Sequence, residues 1–168
     1  MISSNLSVQN DGTTNGTPAR SLLVVDDEAP LRSALRRFFM RRGWNVSEAE
    51  DGECARAMLL DGDRIGGGFD AVLTDMRMPR LSGIALHDLV VRADPAIGSR
   101  FIFSSGDTGG DEALEFFGRT HCPVVPKPFE LAALLSLVER VATDSVRTDS
   151  EGSVARYCSS EDRDSLPE

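Results

Sequence analysis

The chain has 168 residues, of which 40% are hydrophobic and 27% are charged, a composition typical of one soluble globular domain. Its formal net charge of −9 argues against a surface that binds nucleic-acid phosphates or an anionic membrane directly. The apolar runs are far shorter than the roughly 20 residues of a membrane span, and the three cysteines form no CxxC pair, so we expect a reduced, cytoplasmic protein.

Both ends of the chain are poor in large apolar side chains. Residues 1–19 are rich in Ser, Asn, Thr and Gly, whereas residues 144–168 mix Ser with acidic groups and lack helical periodicity. Neither segment can bury enough apolar surface to offset the entropy that ordering costs. We therefore predict a flexible leader over 1–19, one domain over 20–143 and a flexible acidic tail over 144–168.

Short apolar runs alternate with amphipathic patterns along the predicted domain. The apolar runs predict five strands: LLVV (22–25), WNVSE (44–48), DAVLT (70–74), RFIFS (100–104) and PVVP (123–126). A helical pattern follows each run; the third is predicted over 83–93 and the fourth over 111–118. This alternation predicts an α/β fold, a doubly wound, five-stranded parallel sheet with helices on both faces.

Ligands of such sheets bind at the carboxyl ends of the strands, so the residues that follow each strand matter most. The sequence places polar side chains there after four strands: Asp26 and Asp27 after the first, Asp75 after the third, Ser105 after the fourth and Lys127 after the fifth. We expect three carboxylates, a hydroxyl and an ammonium group to converge on one edge of the sheet.

Three adjacent acids, Asp26, Asp27 and Glu28, separate the first strand from the first helix. Adjacent carboxylates repel one another unless a cation joins them, and Mg²⁺ suits oxygen ligands that share its shell with water and phosphate. We interpret the Asp pair, together with Asp75, as a Mg²⁺ site. Capping of the first helix by Asp26 or Asp27 is an alternative, and Glu28 is assigned to the first turn of that helix.

Asp75 ends an apolar strand, and Pro79 then turns the chain away, which leaves the carboxylate at the rim of the sheet. A carboxylate can attack phosphorus and form an aspartyl phosphate when nearby cations screen the incoming anion. Lys127 is the only lysine in a chain with 17 arginines, and its compact ammonium suits a point contact to phosphate. Ser105 offers a small hydroxyl group, although Ser104 competes for this role.

Ordinary structural roles remain alternatives for each of these residues. A single Asp after a strand usually forms a turn, SSGD is itself a turn sequence, and a lysine at a strand end is often simply exposed. His87 and His121 have no partner at ligand spacing, so we expect them to be surface or packing residues.

The segments VVDDE, LTDMRMPRLSG, SSGD and PKPF have the order and approximate spacing found in the receiver domain of bacterial two-component response regulators. The chain resembles this family over about residues 21–142. The resemblance implies the flavodoxin-like strand order 2-1-3-4-5 and a phosphorylation switch, either stand-alone or part of a hybrid histidine kinase. It implies that Asp75 accepts a phosphoryl group from a histidine kinase or a histidine phosphotransfer protein.

The resemblance also implies which residues hold Mg²⁺: the side chains of Asp27 and Asp75, the backbone carbonyl of Arg77 and, through water, Asp26. Lys127 would pair with the phosphoryl group, and Ser105 would move toward it. This movement would alter the surface formed by helix four, strand five and helix five, where we expect an unknown downstream protein to bind.

The chain departs from the family pattern at Val124, because many members have Tyr or Phe three positions before the lysine. Another contact of helix four must then report the signal. We also hypothesise that Arg77 and Asp107, which flank the phosphoryl position in this family, pair over it and hinder water.

Two other functions fit parts of the pattern. A haloacid-dehalogenase-like Mg²⁺-dependent phosphatase requires Asp-x-Asp after the first strand, whereas this chain has Asp26, Asp27 and Glu28 there. A receiver-like module that binds partners without phosphorylation would not need every site residue, yet all are present. We therefore predict a switch that is not an enzyme, apart from self-catalysed phosphotransfer and slow autodephosphorylation.

Overall fold

The computed structural model describes residues 19–60, 68–106 and 111–155. The strands are β1 (Ser21–Val25), β2 (Asn45–Ala49), β3 (Ala71–Asp75), β4 (Phe101–Ser105) and β5 (Val124–Pro126). The helices are α1 (Ala29–Met40), α2 (Gly52–Leu60), α3 (Gly83–Ala93), α4 (Asp111–Thr120) and α5 (Leu131–Ala155), and a 3₁₀ helix (Pro95–Arg100) leads into β4. The strands pair in parallel in the order β2-β1-β3-β4-β5, which confirms the predicted fold class.

The sheet is covered on both faces, which explains why its central strands are almost continuously apolar. Along β1, Leu23 and Val25 belong to the core that includes buried residues of α2, α3 and α4. The alternate residues Leu22 and Val24 belong to the core that includes buried residues of α1 and α5. Alternation along one strand therefore contributes to two separate cores.

The parallel register brings the ends of four strands to one edge of the sheet. β3 lies between β1 and β4, with Val25 opposite Thr74 and Asp75 opposite Ser104. Both β3 and β4 extend one residue further than predicted, so Asp75 and Ser105 are the last residues of their strands. The carboxylate and the hydroxyl are thus fixed by the sheet itself rather than by a loop.

Helix α5 is longer than predicted. The sequence suggested a nonhelical tail from residue 144, but the helix continues to Ala155. Extension of an existing helix costs little per residue, because the packed turns have already nucleated it. The helix therefore extends into the predicted tail over 144–155, and the flexibility of the tail stays a prediction. Residues 156–168 of the predicted tail and residues 1–18 of the leader predicted over 1–19 lie outside the described residues. Among the described helices, α5 included, none has both the length and the apolar character needed to cross a membrane.

Candidate functional site

Four of the side chains singled out in the sequence form one cluster at the carboxyl edge of the sheet. The Nζ atom of Lys127 lies 2.8 Å from Asp26 Oδ2 and 2.8 Å from Asp75 Oδ2. Asp26, Asp27 and Asp75 each offer a carboxylate oxygen within 4.8 Å of the other two. Residues at the carboxyl ends of β1, β3 and β5 thus meet although they are distant in sequence.

The loop between β1 and α1 holds Asp26 through its backbone and its side chain. The Asp26 N–H donates to the Ala49 carbonyl, and Asp26 Oδ1 accepts from the N–H of Glu28 at 2.9 Å. Arg32 donates a hydrogen bond of 2.6 Å to the carbonyl oxygen of Asp26. Asp26 is almost fully buried, whereas Asp27 is exposed. The buried and exposed members of the pair therefore face different surroundings.

Glu28 differs from its predicted position. It is the N-cap of α1, not a residue of the first turn, and its side chain makes no capping hydrogen bond. Its Oε1 atom instead lies 3.5 Å from Lys127 Nζ. Glu28 therefore adds negative charge to the rim of the site, a role that the sequence did not indicate.

The end of β3 is fixed by backbone contacts. Asp75 Oδ1 accepts a hydrogen bond from the Arg77 N–H at 3.1 Å, and the Met76 N–H donates to Ser104 on β4. Gly83 opens α3 directly against this segment, because any Cβ at Gly83 would overlap the carbonyl oxygen of Asp75. This role of Gly83 was not predicted; its signal in the sequence is a glycine directly after Ser82, the N-cap of α3.

Ser104 and Ser105, which the sequence left as competitors, have different environments. The Ser104 hydroxyl lies 3.5 Å from the carbonyl oxygen of Thr74 on the neighbouring strand. Ser105 is the last residue of β4, and its carbonyl oxygen accepts a 2.7 Å hydrogen bond from the Lys127 N–H. This bond joins the end of β4 to the segment that carries Lys127, whose peptide bond to Pro128 is cis.

Burial and pairing act in opposite directions on the ionisable groups of the cluster. Burial raises the pKa of Asp26, and this effect outweighs the lowering by its hydrogen bonds to Lys127 and Glu28. Burial alone would lower the pKa of Lys127, but hydrogen bonds to Asp26 and Asp75 together raise it well above its ordinary value. One ammonium is shared between two carboxylates, so it compensates each of them only in part.

The cluster carries more negative than positive charge. Asp26, Asp27 and Asp75 lie together around the single ammonium of Lys127, with Glu28 at the rim. Their donor atoms are all oxygens, which suit a hard divalent cation such as Mg²⁺. The residues therefore fit the metal that the sequence predicted.

A second acidic group lies at the start of α2 and has a structural explanation. Glu50, Asp51 and Cys54 offer ligand atoms within 4.8 Å of one another. However, Asp51 Oδ1 accepts from the Cys54 N–H at 2.8 Å, as a helix cap does, and its Oδ2 forms an ion pair with Arg80. The capped helix and the arginine account for these charges without a metal.

The predicted pair of Arg77 and Asp107 remains a prediction. Arg77 is exposed next to Asp75, and Asp107 lies outside the described residues.

The family comparison agrees with the fold and the acidic cluster. The family model of the response regulator receiver domain matches residues 22–139. The chain belongs to the response regulator receiver domain family. Receiver domains are the phosphoryl-accepting switches of two-component systems.

Individual relatives give the same result. The response regulator MprA of Mycolicibacterium vanbaalenii is 31% identical over 145 residues, which cover 80% of this chain and 55% of the relative. The sensor kinase CckA of Brucella abortus is 30% identical over 128 residues, 76% of this chain but only 13% of the kinase. A solved receiver protein from Pseudomonas putida matches 74% of this chain and 99% of its own, with a TM-score of 0.63 and 29% identity. The chain thus spans about half the length of MprA and a small part of CckA.

Proposed function

We propose that this receiver domain is switched by phosphorylation of Asp75, with the phosphoryl group supplied by a histidine kinase or a histidine phosphotransfer protein. The observation that carries the proposal is the position of the Lys127 ammonium, 2.8 Å from the carboxylates of both Asp75 and Asp26. An incoming phosphoryl group meets a fixed positive charge beside the nucleophile. The match to the receiver family supports the same assignment.

The transfer is a displacement at phosphorus. A carboxylate oxygen of Asp75 forms a bond to phosphorus, while the bond between phosphorus and the imidazole nitrogen of the donor breaks. That nitrogen leaves with the electron pair. Lys127 then balances the charge of a phosphoryl oxygen, and the hydroxyl of Ser105 donates a hydrogen bond to another.

Mg²⁺ would be held by the carboxylates of Asp27 and Asp75 and by the Arg77 carbonyl, with Asp26 bound through water. When bound, the ion would neutralise negative charge shared by the carboxylates and the phosphoryl group. Asp26 supports this arrangement from a buried position that its hydrogen bonds to Lys127 and Glu28 fix. The negative charge of the cluster is the reason that a divalent cation is needed before an anion can approach.

Phosphorylation would add about −1.5 to −2 charge and three acceptor oxygens to Asp75. Ser105 ends β4, and the segment after it leads to α4, so movement of Ser105 toward the phosphoryl group would be transmitted to that helix. We expect an unknown downstream protein to recognise the altered surface of α4, β5 and α5. We further propose that the chain turns over no external substrate, binds no nucleic acid directly and acts in the cytoplasm with its kinase.

Incubation with acetyl phosphate and Mg²⁺ tests the assignment. We expect the wild type to become phosphorylated and Asp75→Asn to lose the label completely, because an amide is a poor nucleophile. Asp70→Asn is a matched control, since Asp70 precedes the other end of β3 and an asparagine oxygen can still accept its hydrogen bond from Ser21. Equal labelling of Asp75→Asn and the wild type would refute the proposal.

A further inference from the structure

His87, on α3, is buried among aromatic rings from two other elements. Its side chain is 6% exposed. Its ring centroid lies 5.1 Å from Phe101 and 5.9 Å from Phe103, both on β4. On the α4 side it lies 5.1 Å from Phe116, at an interplanar angle of 88°. The imidazole is thus enclosed by β4 and α4.

Both nitrogens of His87 also have polar neighbours. Nδ1 lies 3.3 Å from Asp88 Oδ1, and Nε2 lies 3.7 Å from the Cys122 sulfur. The other oxygen of Asp88 accepts a 2.9 Å hydrogen bond from Arg119 on α4. The Asp88 carboxylate therefore links the imidazole of His87 to Arg119 on α4.

The cluster favours neutral groups. Burial lowers the pKa of His87, although Asp88 partly offsets the effect. Burial also raises the pKa of the Cys122 thiol. Among the described residues, Arg92 also lines the cavity next to the ring, and Glu115 interacts with Arg119. The residues facing the ring from β4, Phe101 and Phe103, are aromatic and carry no charge of their own.

This burial of His87 depends on α4, a helix that is mostly exposed. Among its described side chains, only Ala113 and Phe116 are buried. A cavity of about 480 Å³ adjoins His87 and is bordered by α3, the 3₁₀ helix and the end of α4. A displacement of α4 would remove Phe116 from the imidazole, separate Arg119 from Asp88 and admit water.

The same helix rests on the strand that ends in the proposed phosphorylation site. Phe103, two residues before Ser105, packs against Phe116 with 4.9 Å between ring centroids and against Phe117 with 6.2 Å. A change at the end of β4 therefore acts on the surface that α4 covers. This contact lies in the core and does not require an aromatic residue at Val124.

We infer that His87 is a proton-sensitive latch on α4: the neutral imidazole packs beneath the helix, and displacement of the helix takes Arg119 away from Asp88 and lets the ring take up a proton that the neighbouring Asp88 carboxylate stabilises. The link to phosphorylation rests on the proposed function, in which a phosphoryl group on Asp75 displaces α4 through Ser105. Acid and phosphorylation then favour the same position of α4, and each promotes the other by thermodynamic linkage.

The first experiment tests the latch without phosphorylation. NMR titration follows the imidazole signals of His87 and of exposed His121, the only two histidines of the chain. We expect Arg119→Gln to raise the midpoint of His87 by about one pH unit, because Asp88 becomes available to the imidazolium. Arg92→Gln removes a charge from the same cavity but leaves the Asp88 pair in place. Equal shifts in the two variants would overturn the latch.

The second experiment tests the coupling. Beryllofluoride with Mg²⁺ serves as the phosphoryl analogue, and its fluorine NMR signal reports occupancy of Asp75 independently of the histidines. With Asp75 occupied, we expect the midpoint of His87 to rise by about one pH unit. An occupied site with an unchanged His87 midpoint would overturn the coupling. Failure of Asp75 to bind the analogue would count against the proposed function, whereas the first experiment would still decide the latch.

Discussion

The acidic cluster at the sheet edge and the His87 cluster beneath α4 differ in whether their buried ionisable groups are charged. Burial disfavours charge in both, since it raises the pKa of Asp26 and lowers that of His87. At the sheet edge, however, Lys127 pairs with two carboxylates, so charges persist and negative charge remains in excess. Beneath α4, Asp88 is shared with Arg119 and the imidazole stays neutral. The first cluster thus calls for a cation, whereas the second takes up a proton only when its surroundings change.

The two clusters also differ in what holds them. Asp75 and Ser105 end paired strands, and Lys127 follows a third strand, so the sheet register fixes their positions. The cover of His87 depends instead on α4 through Phe116 and the Asp88 pair. The sheet-edge cluster is preformed, which suits it to chemistry. The His87 cluster depends on the position of α4, which suits it to reporting a movement of that helix.

Loss of the ammonium at the sheet edge should have the largest effect. We expect Lys127→Met to slow the labelling of Asp75 by acetyl phosphate by about 10²-fold or more, because the phosphoryl oxygens lose a preorganised positive partner. Lys127→Arg keeps the positive charge but not the compact ammonium, so its labelling rate should lie between those of the wild type and Lys127→Met. Labelling of Lys127→Met at the wild-type rate would show that the cluster does not act as described.

The rigidity of the sheet edge can be tested through Gly83. Gly83→Ala should lower the free energy of unfolding by about 3 kcal/mol, because its Cβ would overlap the backbone of Asp75. Gly118→Ala on α4 is the control; a Cβ there meets no atom within 4 Å, and alanine favours a helix. Urea unfolding measures both, and equal destabilisation would mean that α3 is not closely packed against Asp75.

Mg²⁺ should stabilise the folded chain, since it binds a cluster that unfolding disperses. At a tenfold excess over its Kd, the gain in the free energy of unfolding should be about 1.4 kcal/mol. Asp27→Asn should lose most of this gain, whereas Glu28→Gln should keep most of it. A thermal shift with Mg²⁺ that is the same in Asp27→Asn and the wild type would exclude Asp27 as a ligand.

The His87 cluster should show the smallest effect, and only in acid. The pKa of His87 in the folded chain lies below the ordinary value of 6.5. As the pH falls from about 7 to 5, the unfolded chain therefore binds more protons at this residue than the folded chain does. The contribution of His87 to the free energy of unfolding should therefore fall over this range. His87→Phe should remove that part of the slope in urea unfolding at several pH values. Identical slopes in the two proteins would show that His87 is not held neutral.

Much of the acidic edge was predictable because it depends on local features of the chain. Apolar runs define the strands, and parallel pairing brings their ends together, so Asp26, Asp75 and Lys127 could be grouped from sequence alone. The different environments of Ser104 and Ser105 could be seen only in the structure, since the two residues are adjacent and both are buried on β4.

The remaining features depend on contacts between distant residues. The role of Gly83 depends on how closely α3 approaches β3, and Glu28 joins the site only because Lys127 is nearby. His87 meets Cys122 across 35 positions, so its neighbours could not be read from its own helix. The end of α5 was missed because helix continuation beyond residue 144 leaves no apolar pattern in the sequence.

Phosphorylation of Asp75 can be tested by peptide mapping with mass spectrometry after incubation with acetyl phosphate, with Mg²⁺ present or removed by a chelator. We expect a phosphoryl group on Asp75 that forms with Mg²⁺ and is largely absent without it. A modification on another residue, or the same yield at Asp75 in the chelated sample, would contradict the claim that these acids and Lys127 form one metal-dependent acceptor site.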